Sequence, residues 1–200
     1  LKTFGEILEA IEKNRAAEDI AGVWGENKGK CIKETSFNYP KPNRSLVSRY
    51  REKYYYMFHN PCALIKTSYG CPYQCNFCFC REITDGKYFV RDLQDIIDEI
   101  KLIEEKELYI VDDDFLVDKK RISEFCSLLM KNNIHKNFLI YGRADFIAEN
   151  EEVIKEFSAC GLRAVIVGLE SSSEEELKKY NKKSSVDINE RAIKILNKYK

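Results

Sequence analysis

Three cysteines of one short loop are the residues best suited to do chemistry in this chain. Cys71, Cys75 and Cys78 follow one another at spacings of four and three positions. Thiolates so spaced can ligate three corners of a cubane iron–sulfur cluster, which normally takes four cysteines. The remaining iron can then bind another molecule, and an open coordination position distinguishes a catalytic metal centre from a closed structural one. The spacing is therefore compatible with a cubane cluster that keeps one iron open to another ligand.

A fourth cysteine of the loop leaves two alternatives open. Cys80 lies two residues after Cys78, and a fourth thiolate would make the loop a zinc site or an ordinary electron-transfer cluster. However, the spacings lack the paired CxxC…CxxC pattern of zinc ribbons, and a ligand only two residues away would strain the loop. The other cysteines are interpreted as small buried residues rather than ligands, namely Cys31, Cys62, Cys126 and Cys160.

The loop follows the first strand of an alternation of short apolar strands and amphipathic helices that begins at Cys62. This alternation is typical of a parallel sheet with helices on at least one face. We predict an α/β fold, a partial (β/α) TIM-like barrel with about four β/α units. The predicted strands are 63–65, 108–111, 138–141 and 164–167, and the predicted helices are 92–105, 119–132, 151–160, 174–180 and 188–198.

The residues before Cys62 show a different pattern of elements. The pattern predicts an amphipathic helix over residues 3–14, a short hairpin around 26–29 and an extended, proline-containing linker over 39–44. We therefore divide the chain into a small α+β linker segment, residues 1–60, and a barrel domain, residues 61–200.

The composition describes a globular chain and excludes several function classes. Of the 200 residues, 44% are hydrophobic and 33% are charged, which suits a buried core and not a disordered tail. The 33 basic and 33 acidic residues cancel, so no net charge favours nucleic acid or an anionic membrane as a partner. No apolar run reaches the roughly 18 residues of a membrane span. These features favour the cytoplasm, where grouped cysteines indicate metal rather than disulfides.

The segment Cys71–Cys78, CPYQCNFC, resembles the cluster motif of the radical S-adenosylmethionine (SAM) superfamily, and its place after the first barrel strand does too. The resemblance implies a [4Fe–4S] cluster on the three cysteines, Phe77 beside the cofactor, and the amino and carboxylate groups of SAM on the fourth iron. An electron from a flavodoxin- or ferredoxin-type donor would release a 5′-deoxyadenosyl radical that abstracts hydrogen from the substrate. The protein would supply orientation, redox tuning and exclusion of water.

Polar residues follow the later predicted strands, at the barrel end where active sites lie. After the second strand, the segment DDD resembles a motif of cobalamin-associated members, which implies that Asp112 or Asp113 contacts the methionine amino group. The alternative is a solvated acidic loop with Asp118 capping the next helix. After the third strand, the planar guanidinium of Arg143 suits the SAM carboxylate. An ion pair between Arg143 and Asp145 is the alternative.

The segment after the fourth strand resembles the edge of the family's nucleoside pocket. Gly168 would permit close approach, Glu170 would accept a ribose hydroxyl, and Ser171 would border the cofactor. A turn with Ser171 or Ser172 capping the next helix is compatible with that role. We interpret the basic run at residues 178–183 as a solvated helix end.

Residues 3–11, 20–24 and 40–44 resemble the junction that joins a cobalamin-binding domain to the barrel in cobalamin-dependent members. No Asp-x-His-x-x-Gly segment occurs, so the resemblance places any cobalamin domain upstream of Leu1. On this view the chain is a fragment that also lacks the C-terminal part of the barrel, since a full barrel takes roughly 250 residues. The alternative is a plain N-terminal extension packed on the barrel.

The sequence thus leads to a radical SAM enzyme of the cobalamin-associated branch, present as a fragment and acting on a small-molecule or lipid-like organic substrate. That branch includes methyltransferases and cyclases, and the residues do not choose between them. Two alternatives remain open: a cobalamin-independent member such as a methylthiotransferase, and a non-catalytic zinc or iron–sulfur module. We expect no nucleic-acid partner and no membrane span.

Overall fold

A computed structural model describes residues 2–24, 36–37 and 39–199. The chain divides into two compact units, Leu1–Thr35 and Ser36–Lys200. The first unit contains helix α1 (Lys2–Glu12), in which Ala10 is buried, and the Thr3 hydroxyl donates to the Ala21 carbonyl at 3.2 Å. The predicted hairpin around residues 26–29 and Cys31 lie outside the described residues.

The second unit is built on a four-stranded parallel sheet. The described strands of the unit are β1 (Cys62–Ile65), β2 (Ser68–Tyr69), β3 (Phe89–Val90), β4 (Glu107–Ile110), β5 (Asn137–Gly142) and β6 (Leu162–Val167). Strands β1, β4, β5 and β6 are neighbours in that order and run parallel, while β2 and β3 form an antiparallel ribbon. A helix follows each parallel strand along the chain, as in a (β/α) barrel. The predicted α/β fold, a partial TIM-like barrel, is confirmed.

The helices agree with the periodicity except where the elements are short. They are a 3-10 helix (Arg44–Lys53), α2 (Cys80–Thr84), α3 (Leu93–Lys101), α4 (Lys119–Lys131), α5 (Ala144–Glu149), α6 (Glu151–Ala159), α7 (Glu174–Lys179) and α8 (Val186–Lys198). Helices α2 and α5 were not predicted because five or six residues show no clear period. Helix α3 ends four residues earlier than predicted, and beyond its end the Lys136 ammonium donates to the carbonyl oxygens of Ile103 and Glu105.

The core lies between the sheet and the helices. Four buried phenylalanines pack ring against ring there, with centroids 5.6–6.0 Å apart, namely Phe115, Phe125, Phe138 and Phe157. Gly161 follows helix α6 with a φ of +117°, and a Cβ there would lie 2.0 Å from the Lys136 carbonyl oxygen. Only glycine combines that φ with that approach, so the chain can turn directly from α6 into β6.

The segment before β1 covers the open edge of the sheet. The Cys62 amide donates to the Tyr54 carbonyl at 2.9 Å, and the Arg44 guanidinium donates to the Leu64 carbonyl at 2.8 Å. Arg44 also pairs with Glu99 on α3 at 2.7 Å. Such contacts protect an edge strand from pairing with another chain. The domain boundary between residues 60 and 61 stays a prediction. None of the described helices is long and apolar enough to cross a membrane.

Candidate functional site

A cavity of about 270 Å³ opens at the carboxyl ends of the parallel strands. The cysteine loop forms one wall, the ends of β5 and β6 form another, and acidic residues after β4 complete it. Its lining includes most of the predicted site residues, namely Cys71, Cys75, Phe77, Cys78, Asp113, Arg143, Gly168 and Glu170. Asp112 and Ser171 are not part of this lining.

The cysteine loop presents its thiols to the cavity from irregular backbone. Cys71, Cys75 and Cys78 are all partly buried, and the Cys78 amide donates to the Cys75 carbonyl at 3.2 Å. Burial raises the pKa of Cys71 to about 11. Cys80, the first residue of α2, also lines the cavity; burial and a hydrogen bond with Cys78 raise its pKa to about 12.

The positions of these thiols bear on the zinc alternative. Among residues 2–24, 36–37 and 39–199, no three His, Cys, Asp or Glu side chains converge on the position of a single metal ion. A zinc ion needs that convergence. A cubane cluster binds each thiolate to a different iron and does not need it. The cluster and the zinc alternative both stay predictions.

The first two aspartates after β4 anchor the loop. Asp112 is buried and accepts hydrogen bonds from the Thr67 amide and hydroxyl, at 2.6 and 2.5 Å, and from the Ser68 hydroxyl at 2.7 Å. Its carboxylate is thus occupied by the segment that leads into the loop, away from the cavity. Asp113 accepts from the Gly70 amide at 2.9 Å, directly before the first cysteine. Of the two residues proposed from the sequence, only Asp113 faces the cavity.

Asp114 is the site residue that the sequence did not single out. It is 3% exposed, and its Oδ1 accepts from the Leu116 amide at 3.0 Å. Its Oδ2 is buried without a hydrogen-bond partner among the described residues, and the residue lines the same cavity. Burial raises the pKa of this carboxyl to about 7. Its position in the DDD run could have suggested it, but only the fold distinguishes the third aspartate from the first.

Arg143 is held by several partners at the end of β5. Its guanidinium pairs with Asp145 at 2.6 Å, donates to the Lys182 carbonyl at 2.5 Å and stacks on the Tyr73 ring at 3.8 Å. Its Nη1 donates to the Cys75 sulfur at 3.5 Å. The ion pair with Asp145, an alternative from the sequence, is present. The arginine therefore supports the cysteine loop and offers little free surface to a carboxylate.

Of the residues named after β6, Gly168 and Glu170 line the cavity and Ser171 does not. Glu170 adopts a φ of +63° and pairs with Lys182 at 2.9 Å. Lys182 is 7% exposed, so interpreting the whole basic run as solvated was wrong at this position. A Cβ on Gly168 would lie 2.3 Å from the Glu170 carboxylate, so glycine permits this approach. Ser171 instead bonds the Glu176 carboxylate, and Ser173 caps α7.

A second segment holds the cysteine loop from outside. The Asn76 backbone N–H donates to the Tyr180 carbonyl at 3.0 Å, and the Asn76 side-chain amide donates to the Lys179 carbonyl at 2.9 Å. In return the Asn181 side chain donates to the Gln74 carbonyl at 2.7 Å. We call this pair of asparagines the asparagine clamp. It fixes the middle of a loop that has no regular secondary structure.

Comparison with known proteins agrees with this geometry. The chain is 30% identical over 191 residues to a hopanoid C-3 methylase of Methylococcus capsulatus, which covers 94% of this chain and 37% of the methylase. It is 29% identical over 154 residues to an anaerobic magnesium-protoporphyrin IX monomethyl ester cyclase of Rubrivivax gelatinosus, over 72% of this chain and 27% of the cyclase. The chain thus spans less than half the length of either relative.

Solved structures share the fold. OxsB, a cobalamin-dependent SAM radical enzyme with aqua-cobalamin and SAM bound, superposes with a TM-score of 0.77 at 19% identity, over 97% of this chain and 30% of that chain. TsrM, a radical SAM methyltransferase from Kitasatospora setae, superposes with a TM-score of 0.73 at 17% identity, over 99% and 42%. A family model described as the Radical SAM superfamily matches residues 65–200. With that match over most of its length, the chain belongs to the radical SAM superfamily.

Proposed function

We propose that this chain forms the cofactor-binding core of an enzyme that uses a [4Fe–4S] cluster to cleave SAM and directs the resulting 5′-deoxyadenosyl radical at an organic substrate. One observation carries the proposal: Cys71, Cys75 and Cys78 all line a single cavity at the carboxyl ends of the strands. Membership of the radical SAM superfamily supports it.

The donor groups of the cavity suit both cofactors. Thiolates are the usual ligands of iron–sulfur clusters. Burial disfavours the thiolate of Cys71 in the cluster-free protein, so ligation would release protons and strengthen with pH. The carboxyls of Asp113 and Asp114 are the candidates to accept the ammonium group of SAM. Asp114 is the better candidate, because its Oδ2 has no hydrogen-bond partner among the described residues and a nearby cation would favour its ionised form.

Other residues would orient these ligands and keep water out. The Arg143 guanidinium brings a positive charge to the Cys75 sulfur, which favours the thiolate needed for ligation. Tyr73 stacks on that guanidinium and shields it from solvent. Glu170 presents its carboxylate beside Gly168, where it would accept a ribose hydroxyl while Lys182 balances its charge. Phe77 would lie against the cofactor as an apolar wall.

The reaction we propose is a cobalamin-dependent methyl transfer or cyclisation on a small-molecule or lipid-like substrate. Similarity to a hopanoid methylase and to a porphyrin ester cyclase supports methyl transfer or cyclisation. The fold shared with OxsB, a cobalamin-dependent enzyme, supports the use of cobalamin. Cobalamin would be bound by a domain outside these residues. A flavodoxin- or ferredoxin-type donor would supply the electron. A cytoplasmic location stays a prediction.

Anaerobic reconstitution with iron and sulfide tests the proposal. The dithionite-reduced protein should show the electron paramagnetic resonance (EPR) signal of a [4Fe–4S] cluster, and adding SAM should change that signal. Metal analysis of the same sample should find iron and no stoichiometric zinc. A reduced protein without this signal, or with a signal that SAM leaves unchanged, would contradict the proposal. A [4Fe–4S] cluster whose EPR signal does not change when SAM is added would instead indicate an electron-transfer module.

A further inference from the structure

Three tyrosines form a contiguous group on the face of the sheet that is turned away from the helices. Leu108 and Ile110 of β4 belong to the core between the sheet and the helices, so Tyr109 between them points to the other face. The centroid of its ring lies 4.7 Å from that of Tyr56 and 5.8 Å from that of Tyr141. Both distances are those of packed aromatic pairs. We call Tyr56, Tyr109 and Tyr141 the tyrosine cluster.

The tyrosine cluster joins the cofactor cavity to a second cavity. Tyr141, near the end of β5, lines the same cavity as the cysteine loop. Tyr56 and Tyr109 line a cavity of about 870 Å³ at the edge of the sheet formed by β1, a volume within the range of small-molecule pockets. Tyr109 is 5% exposed, whereas Tyr56 and Tyr141 are partly buried. The three rings therefore form a path from the cofactor cavity to a second cavity that small molecules fit.

The hydroxyl groups of the cluster interact as well as the rings. Hydrogen bonding with Tyr141 raises the pKa of Tyr56, and burial together with hydrogen bonding to Tyr141 raises the pKa of Tyr109. Both phenols therefore keep their protons at neutral pH. Because a tyrosine hydroxyl both donates and accepts, a hydrogen atom can pass from one member of the cluster to another without movement of the backbone.

Tyr141 is the member that can react with a radical in the cofactor cavity. A phenolic O–H bond is weaker than the C–H bond of a methyl group, so a primary alkyl radical takes a hydrogen atom from a phenol. Tyr73 and Cys80 also bring an exchangeable hydrogen to this cavity. However, Tyr73 stacks on Arg143 and Cys80 bonds Cys78. Tyr141 contacts a second tyrosine, which gives the radical a place to move.

We propose that the tyrosine cluster is a hydrogen-atom relay that removes the radical from the cofactor cavity when no substrate intercepts it. This inference rests on the proposed function, which supplies the radical. The O–H bond of Tyr141 breaks and a C–H bond forms on the 5′-carbon, which gives 5′-deoxyadenosine and a Tyr141 phenoxyl radical. Tyr141 then regains a hydrogen atom from Tyr109 or Tyr56, on which the radical comes to rest. A small one-electron reductant and a proton from water restore that phenol, and the cysteines are spared from oxidation.

The test follows the radical and its hydrogen atom in the absence of substrate. Reconstituted protein in D2O is reduced with dithionite, freed of excess reductant, mixed with SAM and frozen. EPR at liquid-nitrogen temperature detects a phenoxyl radical, and growth on ring-deuterated tyrosine should narrow its hyperfine structure. Mass spectrometry measures deuterium in the 5′-deoxyadenosine. Tyr55→Phe is the control, because Tyr55 is 70% exposed and next to Tyr56 but outside the cluster.

The parent and Tyr55→Phe should show the phenoxyl signal and the deuterium label. Tyr141→Phe should lose both, because phenylalanine keeps the ring but has no hydroxyl. The double variant Tyr56→Phe with Tyr109→Phe should keep the label and change the hyperfine pattern, since the radical then stays on Tyr141. The EPR signal of the cluster before SAM is added shows whether each variant is intact.

Several results would overturn the relay alone. These are a label or a phenoxyl signal that Tyr141→Phe leaves unchanged, an equal loss in Tyr55→Phe, and unlabelled 5′-deoxyadenosine from the parent. If Tyr141→Phe does not retain the cluster, the double variant decides, and an unchanged hyperfine pattern overturns the relay. A parent protein that holds the cluster but forms no 5′-deoxyadenosine overturns the proposed function and this inference with it.

Discussion

Replacing Asp114 by asparagine should change how the stability of the cluster-free protein depends on pH. Burial raises the pKa of Asp114 from 3.8 to about 7. Each pKa unit corresponds to about 1.4 kcal/mol, so a shift of about three units corresponds to roughly 4 kcal/mol. Between about pH 4 and pH 7 the unfolded chain has lost this proton and the folded protein keeps it, so the free energy of unfolding falls as pH rises. Above about pH 7 the folded protein has also lost this proton, and the free energy of unfolding no longer falls for this reason.

Asparagine stays neutral at every pH, and its side-chain oxygen can still accept from the Leu116 amide. Asp114→Asn should therefore match the parent near pH 4 and exceed it by up to about 4 kcal/mol near pH 8. Urea unfolding, followed by circular dichroism under reducing conditions, measures the difference at several pH values. Asp118→Asn is the matched control, because Asp118 is an exposed N-cap where asparagine serves equally well. A gain that is absent at pH 8, or equal at all pH values, would refute the reasoning.

Three further outcomes follow from the site and the core. Cys80→Ser should retain the iron and the EPR signal of the reconstituted protein, whereas Cys75→Ser should lose both, because Cys80 is not needed as a ligand. Asn181→Asp removes the donor that Asn181 contributes to the clamp but keeps a residue type that tolerates its φ of +52°. Iron loss to a chelator should become faster in this variant, while the control Asn133→Asp, also at +52°, should leave the rate of iron loss unchanged. Phe157→Ala should lower the free energy of unfolding in urea by about 3–5 kcal/mol, because it opens a cavity among fully buried rings; a loss below about 1 kcal/mol would contradict that packing.

The barrel could be predicted from the sequence because its signals are local. Strand β4 was expected over 108–111 and lies at Glu107–Ile110, and helix α4 was expected over 119–132 and lies at Lys119–Lys131. An apolar run or a helical period is visible within one element. The loop motif is equally local, since its three cysteines span eight residues. Local patterns therefore led to the fold class and the family.

The roles of the charged residues could not be read in the same way. Asp112 and Asp114 are two residues apart, yet Asp112 accepts hydrogen bonds from Thr67, which is 45 positions away. One oxygen of Asp114 has no hydrogen-bond partner in the part of the chain that the structure describes. Lys182 looks like its neighbours in the basic run but is buried against Glu170. Whether a carboxylate or an ammonium is free depends on partners that come from distant segments.

The sequence by itself determined that this chain is a β/α barrel segment with a three-cysteine loop, because apolar periodicity and ligand spacing are properties of neighbouring residues. The tertiary structure alone decided which aspartate faces the cavity, which arginine contact supports Cys75 and which lysines stand beside the loop. The physical reason is burial. Desolvation and hydrogen-bond partners set the charge and availability of a polar group, and both are decided only when segments far apart in the chain pack together.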